Sequence, residues 1–366
     1  MFAIASVSFA LFAGVVADLY DRRKVMIISN IVWGLLILAF IPTKENFSLL
    51  LVVTLLTQAA DEFFNPAQSC SMPKIVGKKN LLLANSVYYT AVYGASFVGC
   101  FSAGVMLRFL GYSSVFLVAA VLVFVGALFS AALPSINRSE NVSLRKLFSI
   151  VKTRLREQVN LLIRNRAVAT SLVVMALFSS VPTAAGGVAP GFVEQALKID
   201  SRDLSFVGVL PLAVGLLTGL VVLNRYGKGW RVWKSVLGFG AALLLLAATP
   251  NLRIFLANHV NVPQTFDKFP FFSLTVAVLV FFLGIFASTF AIFMITNLQR
   301  ITPHKNLGRT FGTLGMLSAI LTSFWVISFG AMADLFGPTV PVVLVGISAV
   351  MASFLIKYKG MIKWGV

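Results

Sequence analysis

Apolar runs of about 17–25 residues follow one another along this 366-residue chain, and nearly all of the charged residues sit in the short gaps between them. A run of that length is what an α-helix needs to cross the roughly 30 Å hydrocarbon core of a bilayer. The pattern predicts eleven spans, near residues 1–18, 25–42, 47–68, 84–107, 113–133, 167–193, 204–223, 234–249, 270–297, 310–333 and 338–356. The longest polar stretch, 135–166, divides them into an N-terminal bundle (1–134, five spans) and a C-terminal bundle (167–366, six spans). Within the divider, Leu144, Leu147, Phe148, Val151, Leu155, Val159 and Leu162 recur at helical spacing with basic residues between them. That pattern fits an amphipathic helix on an anionic membrane surface and fits a solvated linker helix equally well.

Loop charge sets the orientation. With the Asp21–Lys24 turn in the cytoplasm and the sides alternating, 24 of the 30 Lys and Arg fall in cytoplasmic segments and six on the opposite side. This is the bias of a positive-inside topology. It places the C-terminus inside, Met1 outside and the protein in the inner or plasma membrane of the cell. Met1–Ala17 has neither a basic start nor a small-residue cleavage site, so it is not expected to be a signal peptide.

Composition agrees. Hydrophobic residues make up 58% of the chain and charged residues 11%, the mean hydropathy is +0.93, and Phe occurs 33 times. A soluble domain carries about 25% charge. The net charge of +18 is spread over short loops rather than gathered on one face, which argues against nucleic-acid binding. Cys70 and Cys100 make no disulfide framework, and His259 and His304 are too few and too far apart for a metal site. No G-x-x-x-x-G-K-[ST] loop is present, so no ATPase and no enzyme activity is expected, and no cofactor is expected beyond an ion gradient, of protons.

The halves echo one another. Gly104–Gly111 reads G-x-x-x-R-x-x-G and Gly330–Gly337 reads G-x-x-x-D-x-x-G, 226 residues later; Asn80-Leu81 and Asn306-Leu307 share that shift. Paired halves with a site at their interface are how many secondary transporters are built.

The turn Gly14-x-x-x-Asp18-x-x-x-Arg22-Arg23-Lys24 resembles the signature between the second and third helices of the major facilitator superfamily. Phe63-Phe64-Asn65-Pro66-Ala67, Pro73-Lys74-Ile75-Val76 and Leu83-Ala84-Asn85-Ser86 resemble the fourth- and fifth-helix region of its bacterial drug and siderophore efflux branch. Thr302-Pro303 followed by Leu307-Gly308-Arg309 resembles the loop before the eleventh helix. The resemblance implies an all-α fold of two bundles, a monomer that moves a small or amphiphilic solute by alternating access, and a chain that begins at the family's second helix. It also implies that Gly14, Asp18, Arg22, Arg23 and Lys24 latch the two halves in the outward-facing state. The chain departs from the pattern at Asp21, where Gly is usual, at Leu55, where drug exporters carry Arg, and at Gly94-Ala95, where antiporters carry Gly-Pro.

Asp61 and Glu62 lie about 21 Å into the third span, past the midplane. A charge there needs a partner, a wet cavity or a proton. One of the two is therefore a proton-coupling or cation-binding candidate, and the alternative is a structural carboxyl tied to a neighbouring helix. Gln58 and Asn65 share their surroundings at helical spacing, and Tyr89 and Tyr93 in the next span, with Tyr88, are cavity-lining or packing residues. Pro182, Gly186, Gly187 and Pro190 are expected to interrupt the sixth span. Two rival functions remain: a non-transporting relic or scaffold, because a five-span first bundle would be open to lipid, and translocation of lipid itself. The membrane lipids and a small-molecule substrate are the expected partners.

The topology has a direct check. Single cysteines at Arg23 and in the 135–166 connector react with an impermeant maleimide only from the same side of the membrane; labelling from opposite sides would overturn the span count.

Overall fold

The computed structural model describes residues 2–135, 153, 156–197, 205–226, 231–259 and 271–359. Residues 144–152 of the amphipathic stretch, with Leu155, lie outside the described residues. Among the described residues there are eleven long α-helices: α1 (Phe2–Leu19), α2 (Arg22–Leu38), α3 (Phe47–Val76), α4 (Leu81–Leu110), α5 (Tyr112–Ala131), α6 (Arg166–Gly191), α7 (Leu210–Tyr226), α8 (Val232–His259), α9 (Phe271–Ile301), α10 (Leu307–Phe336) and α11 (Thr339–Lys359). Nine helical segments there are long and apolar enough to cross a bilayer; two shorter apolar stretches are Phe9–Leu19, in α1, and Val207–Leu223, which runs into α7 from the π-helical turn before it. In hydrocarbon every backbone polar group must be satisfied within the protein, which is why apolar runs of this length are helices.

Side chains close the helix starts. Asp21 accepts from the backbone N–H of Arg23 at the head of α2, Asn46 from Leu49 at the head of α3, and Asn165 from Val168 at the head of α6. Several helices overrun the predicted apolar spans: α3 passes through Pro66 and Pro73 to Val76, and α8 passes Pro250 to His259. Hydropathy marks only the part within the hydrocarbon, whereas the hydrogen-bond ladder continues into the polar zone.

In the first bundle, α3 packs against α1 and α2, and α2 against α5; in the second, α9 packs against α7 and α8, α8 against α11, and α6 against α10. Between the bundles α1 lies along α10, and α4 lies against α7 and α9. The α1–α10 crossing is close because it is made of small residues. A Cβ on Gly308 would overlap the Gly14 carbonyl oxygen, and one on Gly312 would overlap that of Ala10. A core cluster in the second bundle, with Leu172, Leu220, Phe290, Met294 and Leu298, reaches across to Cys70 of α3.

The 226-residue echo is a structural register. Both α4 and α10 are 30 residues long. They start after Asn80 and Asn306 and stop at Gly111 (φ 81°) and Gly337 (φ 88°), left-handed positions that glycine adopts without strain.

The crossing predicts a contrast. Gly312→Ala forces the helices apart and is expected to lower stability by about 1–3 kcal/mol. Gly330→Ala, with nothing within 4 Å of the added Cβ, is expected to leave it unchanged or raise it. Thermal unfolding of the two purified variants measures the difference.

Candidate functional site

The polar contacts between the bundles gather at the end that carries the basic turns. There the Asp18 carboxylate, at the end of α1, accepts hydrogen bonds from the backbone N–H groups of Gly308 (2.7 Å) and Arg309 (3.2 Å) and from Arg309 Nε (3.2 Å). Gly308 and Arg309 are the second and third residues of α10, whose N–H groups have no partner inside their own helix. The carboxylate of one bundle thus caps a helix of the other, at the positive end of its dipole. A Cβ at Gly308 would stand 2.7 Å from Asp18 Oδ1, so only glycine lets the carboxylate in.

Two buried arginines hold this contact. Arg22, 1% exposed, lies 3.7 Å from Asp18 and donates to the carbonyls of Ala17 (3.1 Å), Cys70 (2.5 Å) and, across the interface, His304 (3.4 Å). Arg309 donates to Asn306 Oδ1, to the Lys305 carbonyl (3.3 Å) and to Glu157 Oε2 (2.9 Å). Gln158 adds a bond to Thr310 Oγ1 (3.2 Å), so the helical residues 156–164 before α6 are tied to the same end of α10. Buried charges of this kind are tolerated because they are paired; removing one partner strands the other.

A second clasp lies alongside. Asn85 of α4 donates to Thr296 Oγ1 (2.9 Å) and Gln299 Oε1 (2.7 Å) of α9, and Gln299 Nε2 donates to the Ser69 carbonyl of α3 (2.9 Å). Ser69 is four residues before Pro73. Proline has no N–H to return to that carbonyl, so α3 is left with an acceptor at the interface, and Gln299 takes it.

The predicted residues separate into groups. Gly14, Asp18 and Arg22 meet at the α1–α10 crossing. Arg23 turns into its own bundle and donates to the Ala131 carbonyl (2.5 Å), while Lys24 lines an outer groove. Glu62 is buried and points at α10, its Oε2 3.4 Å from where a Gly315 Cβ would stand. Asp61, about 100° further round the helix, accepts instead from exposed Asn65 (2.8 Å). Gln58 is half-buried one turn before Glu62. Tyr88 donates to Gln68 (2.9 Å), and Tyr89 and Tyr93 pack against the second-bundle core. The expected interruption of the sixth span is absent: α6 runs unbroken to Gly191 through Pro182, Gly186 and Gly187, and gives way to a π-helical turn only at Phe192–Ala196. Proline is accommodated in a packed membrane helix because local adjustment and neighbouring groups satisfy the freed backbone. The sequence reading passed over Thr296, Glu157 and the interfacial role of Gln299; a proline four residues after an interfacial carbonyl was the signal available.

Two bundles of bilayer-length apolar helices, joined at one end by polar contacts, define a polytopic membrane protein. The sequence profile of the Major Facilitator Superfamily matches residues 1–260, and the chain belongs to that superfamily. It is accordingly a secondary transporter of the membrane. No curated protein is a significant sequence match. Solved structures share the fold at low identity. The proton:xylose symporter XylE superposes with a TM-score of 0.69 at 11% identity, covering 99% of this chain and 85% of that one. A bacterial homologue of the iron transporter ferroportin, in an outward-facing state, gives 0.68 at 15% identity with 98% and 88% coverage. The human organic anion transporter MFSD10 (TETRAN) gives 0.65 at 14% identity with 97% and 82% coverage.

The clasp predicts its own opening. Asp18→Asn removes the charge from bonds worth about 1.5–3 kcal/mol each. The distance between spin labels at Lys79 and Lys305 is expected to shift to longer values, with the open population rising at least tenfold. Pro73→Ala and Gln299→Ala act on one contact, so their effects on that distance are expected to sum to less than their separate values.

Proposed function

We propose that this transporter exports a small or amphiphilic solute by alternating access, that the Asp18–α10 contact is its cytoplasmic gate, and that Glu62 is its ion-coupling group. The observation that carries the reading is the carboxylate of one bundle seated on the helix N-terminus of the other. The contact is a set of hydrogen bonds and ion pairs that water can replace, unlike a covalent link between the bundles.

Three further points support it. The excess of basic residues around the clasp favours the cytoplasm for that end and for the C-terminus, in an inner or plasma membrane. With the clasp made, the conformation is then closed inwards and faces out. Glu62 lies within a span, beside the crossing that would open and close, where a carboxyl is expected to exchange a proton or cation between the two sides. The structural relatives carry substrates as different as a sugar, iron and organic anions, so the substrate reading rests on this chain's own apolar character and not on theirs. The protein acts as a monomer in this reading, with no cofactor beyond the ion gradient.

Reconstitution into proteoliposomes tests the proposal. A pH gradient applied across them is expected to drive flux within a panel of fluorescent amphiphiles and organic anions. Glu62→Gln is expected to abolish gradient-driven flux while leaving substrate exchange at equilibrium intact, and Asp61→Asn is expected to reduce it less. Undiminished driven flux in Glu62→Gln would remove the coupling role. Absence of any flux, with the clasp still opening by spin-label distance, would favour a scaffold.

A further inference from the structure

We propose that the groove between α1 and α2 is a binding site for a phospholipid, one acyl chain lying in the groove and an anionic headgroup resting on Lys24. The site is separate from the inter-bundle interface, and the inference does not depend on which substrate is moved or on which ion drives it.

α1 and α2 are consecutive yet touch little, because α3 packs behind both and holds them apart. This leaves a cavity of about 570 Å³ on the outer face of the first bundle. Its depth comes from the small side chains of Ala59 and Ala60, and its walls include Val16 on α1 and Ile28 and Val32 on α2. The latter two are 61% and 43% exposed, so the groove opens sideways to the bilayer and presents hydrocarbon to it. Polar groups gather at one end, where Tyr20, Asp21 and Lys24 line it.

At that end the charges are not equally committed. Asp21 is occupied by the Arg23 backbone N–H (3.1 Å) and by the Ser135 hydroxyl (2.9 Å), and the Arg23 guanidinium by the Ala131 carbonyl. Lys24 is exposed and takes part in none of the hydrogen bonds or ion pairs among the described residues. Asp21, the acid lining that end, is already engaged by these donors, so the charge offered at the mouth is that of Lys24, which favours an anion.

Length decides what the occupant is. Lys24 and Leu36, both lining residues, are twelve positions apart on one helix, about 18 Å. One leaflet of the hydrocarbon core is about half of 30 Å deep. A cation at the headgroup level, followed by an apolar trough as deep as one leaflet, matches a phospholipid seated in its own leaflet. A partner's transmembrane helix would instead require an apolar face through about 20 residues. Val16 and Tyr20 lie two residues to either side of Asp18, so a chain in the groove also braces α1 where it meets α10.

Photolabelling tests the site in the full-length protein, reconstituted in phosphatidylcholine vesicles. The probes are a phosphatidylglycerol and a phosphatidylcholine carrying the same diazirine-bearing acyl chain. The phosphatidylglycerol probe is expected to label peptides containing Ile28–Leu36 and Leu56–Phe63 about fivefold more than the phosphatidylcholine probe does. Lys24→Gln is expected to bring the two probes level. Val32→Trp, at an already exposed position, is expected to remove groove labelling by both while leaving labelling of the exposed α5 residues Val121 and Leu122 as it was. Equal labelling of α2 and α5 by both probes, unmoved by either substitution, would overturn the proposal. So would labelling confined to the α10 peptide around Gly315, which would mark lipid as a transported species instead.

Discussion

The arrangement depends on one contact: a carboxylate at the end of α1 resting on the N-terminus of a helix in the other bundle. The N–H groups at that terminus need an acceptor whatever the conformation, and water would supply one if the bundles separated. The contact therefore replaces solvation and does not add to it, so a buried ionic interface can be both tight and reversible. The flanking arginines follow from it. Burying Asp18 calls for compensating charge, and Arg22 and Arg309 supply it from opposite bundles. Glycine at 14, 308 and 312 follows as well, because any larger residue would keep the carboxylate away from the helix end.

The same economy recurs in the second clasp. Pro73 within α3 is at first sight a defect in a membrane helix. Its effect is to leave the Ser69 carbonyl without a helical donor, at the place where Gln299 can reach it. Asn85 then orients the Gln299 amide, so three helices from two bundles share a short polar chain. The helical residues 156–164 enter the same region through Glu157 and Gln158, and the connector is thereby in contact with the start of α10 as well as joining the halves.

The paired carboxylates of α3 illustrate how a helix sorts adjacent residues. Asp61 and Glu62 are indistinguishable by type and depth, but the helical turn aims one at Asn65 and the other at α10. The turn after α1 does the same for three consecutive cations. Arg22 spans the interface, Arg23 braces α5 and Lys24 is left at the mouth of a groove. A signature read as one functional unit is divided by geometry among three tasks.

The sequence by itself determined the class of the molecule. Apolar runs of bilayer length and charges confined to the gaps between them are one-dimensional properties, and a solvent as restrictive as lipid leaves helices as the structure such runs can form. The long apolar helices and the 226-residue register of α4 and α10 were legible for that reason. The tertiary structure decided which polar groups meet. Asn85, Thr296, Gln299 and Glu157 are ordinary polar residues at helix ends until the bundles are brought together, because a hydrogen bond between positions more than two hundred residues apart leaves no periodicity along the chain. The unbroken course of α6 through its prolines was decided there too, since whether a proline breaks a helix depends on what its neighbours can offer the freed carbonyl.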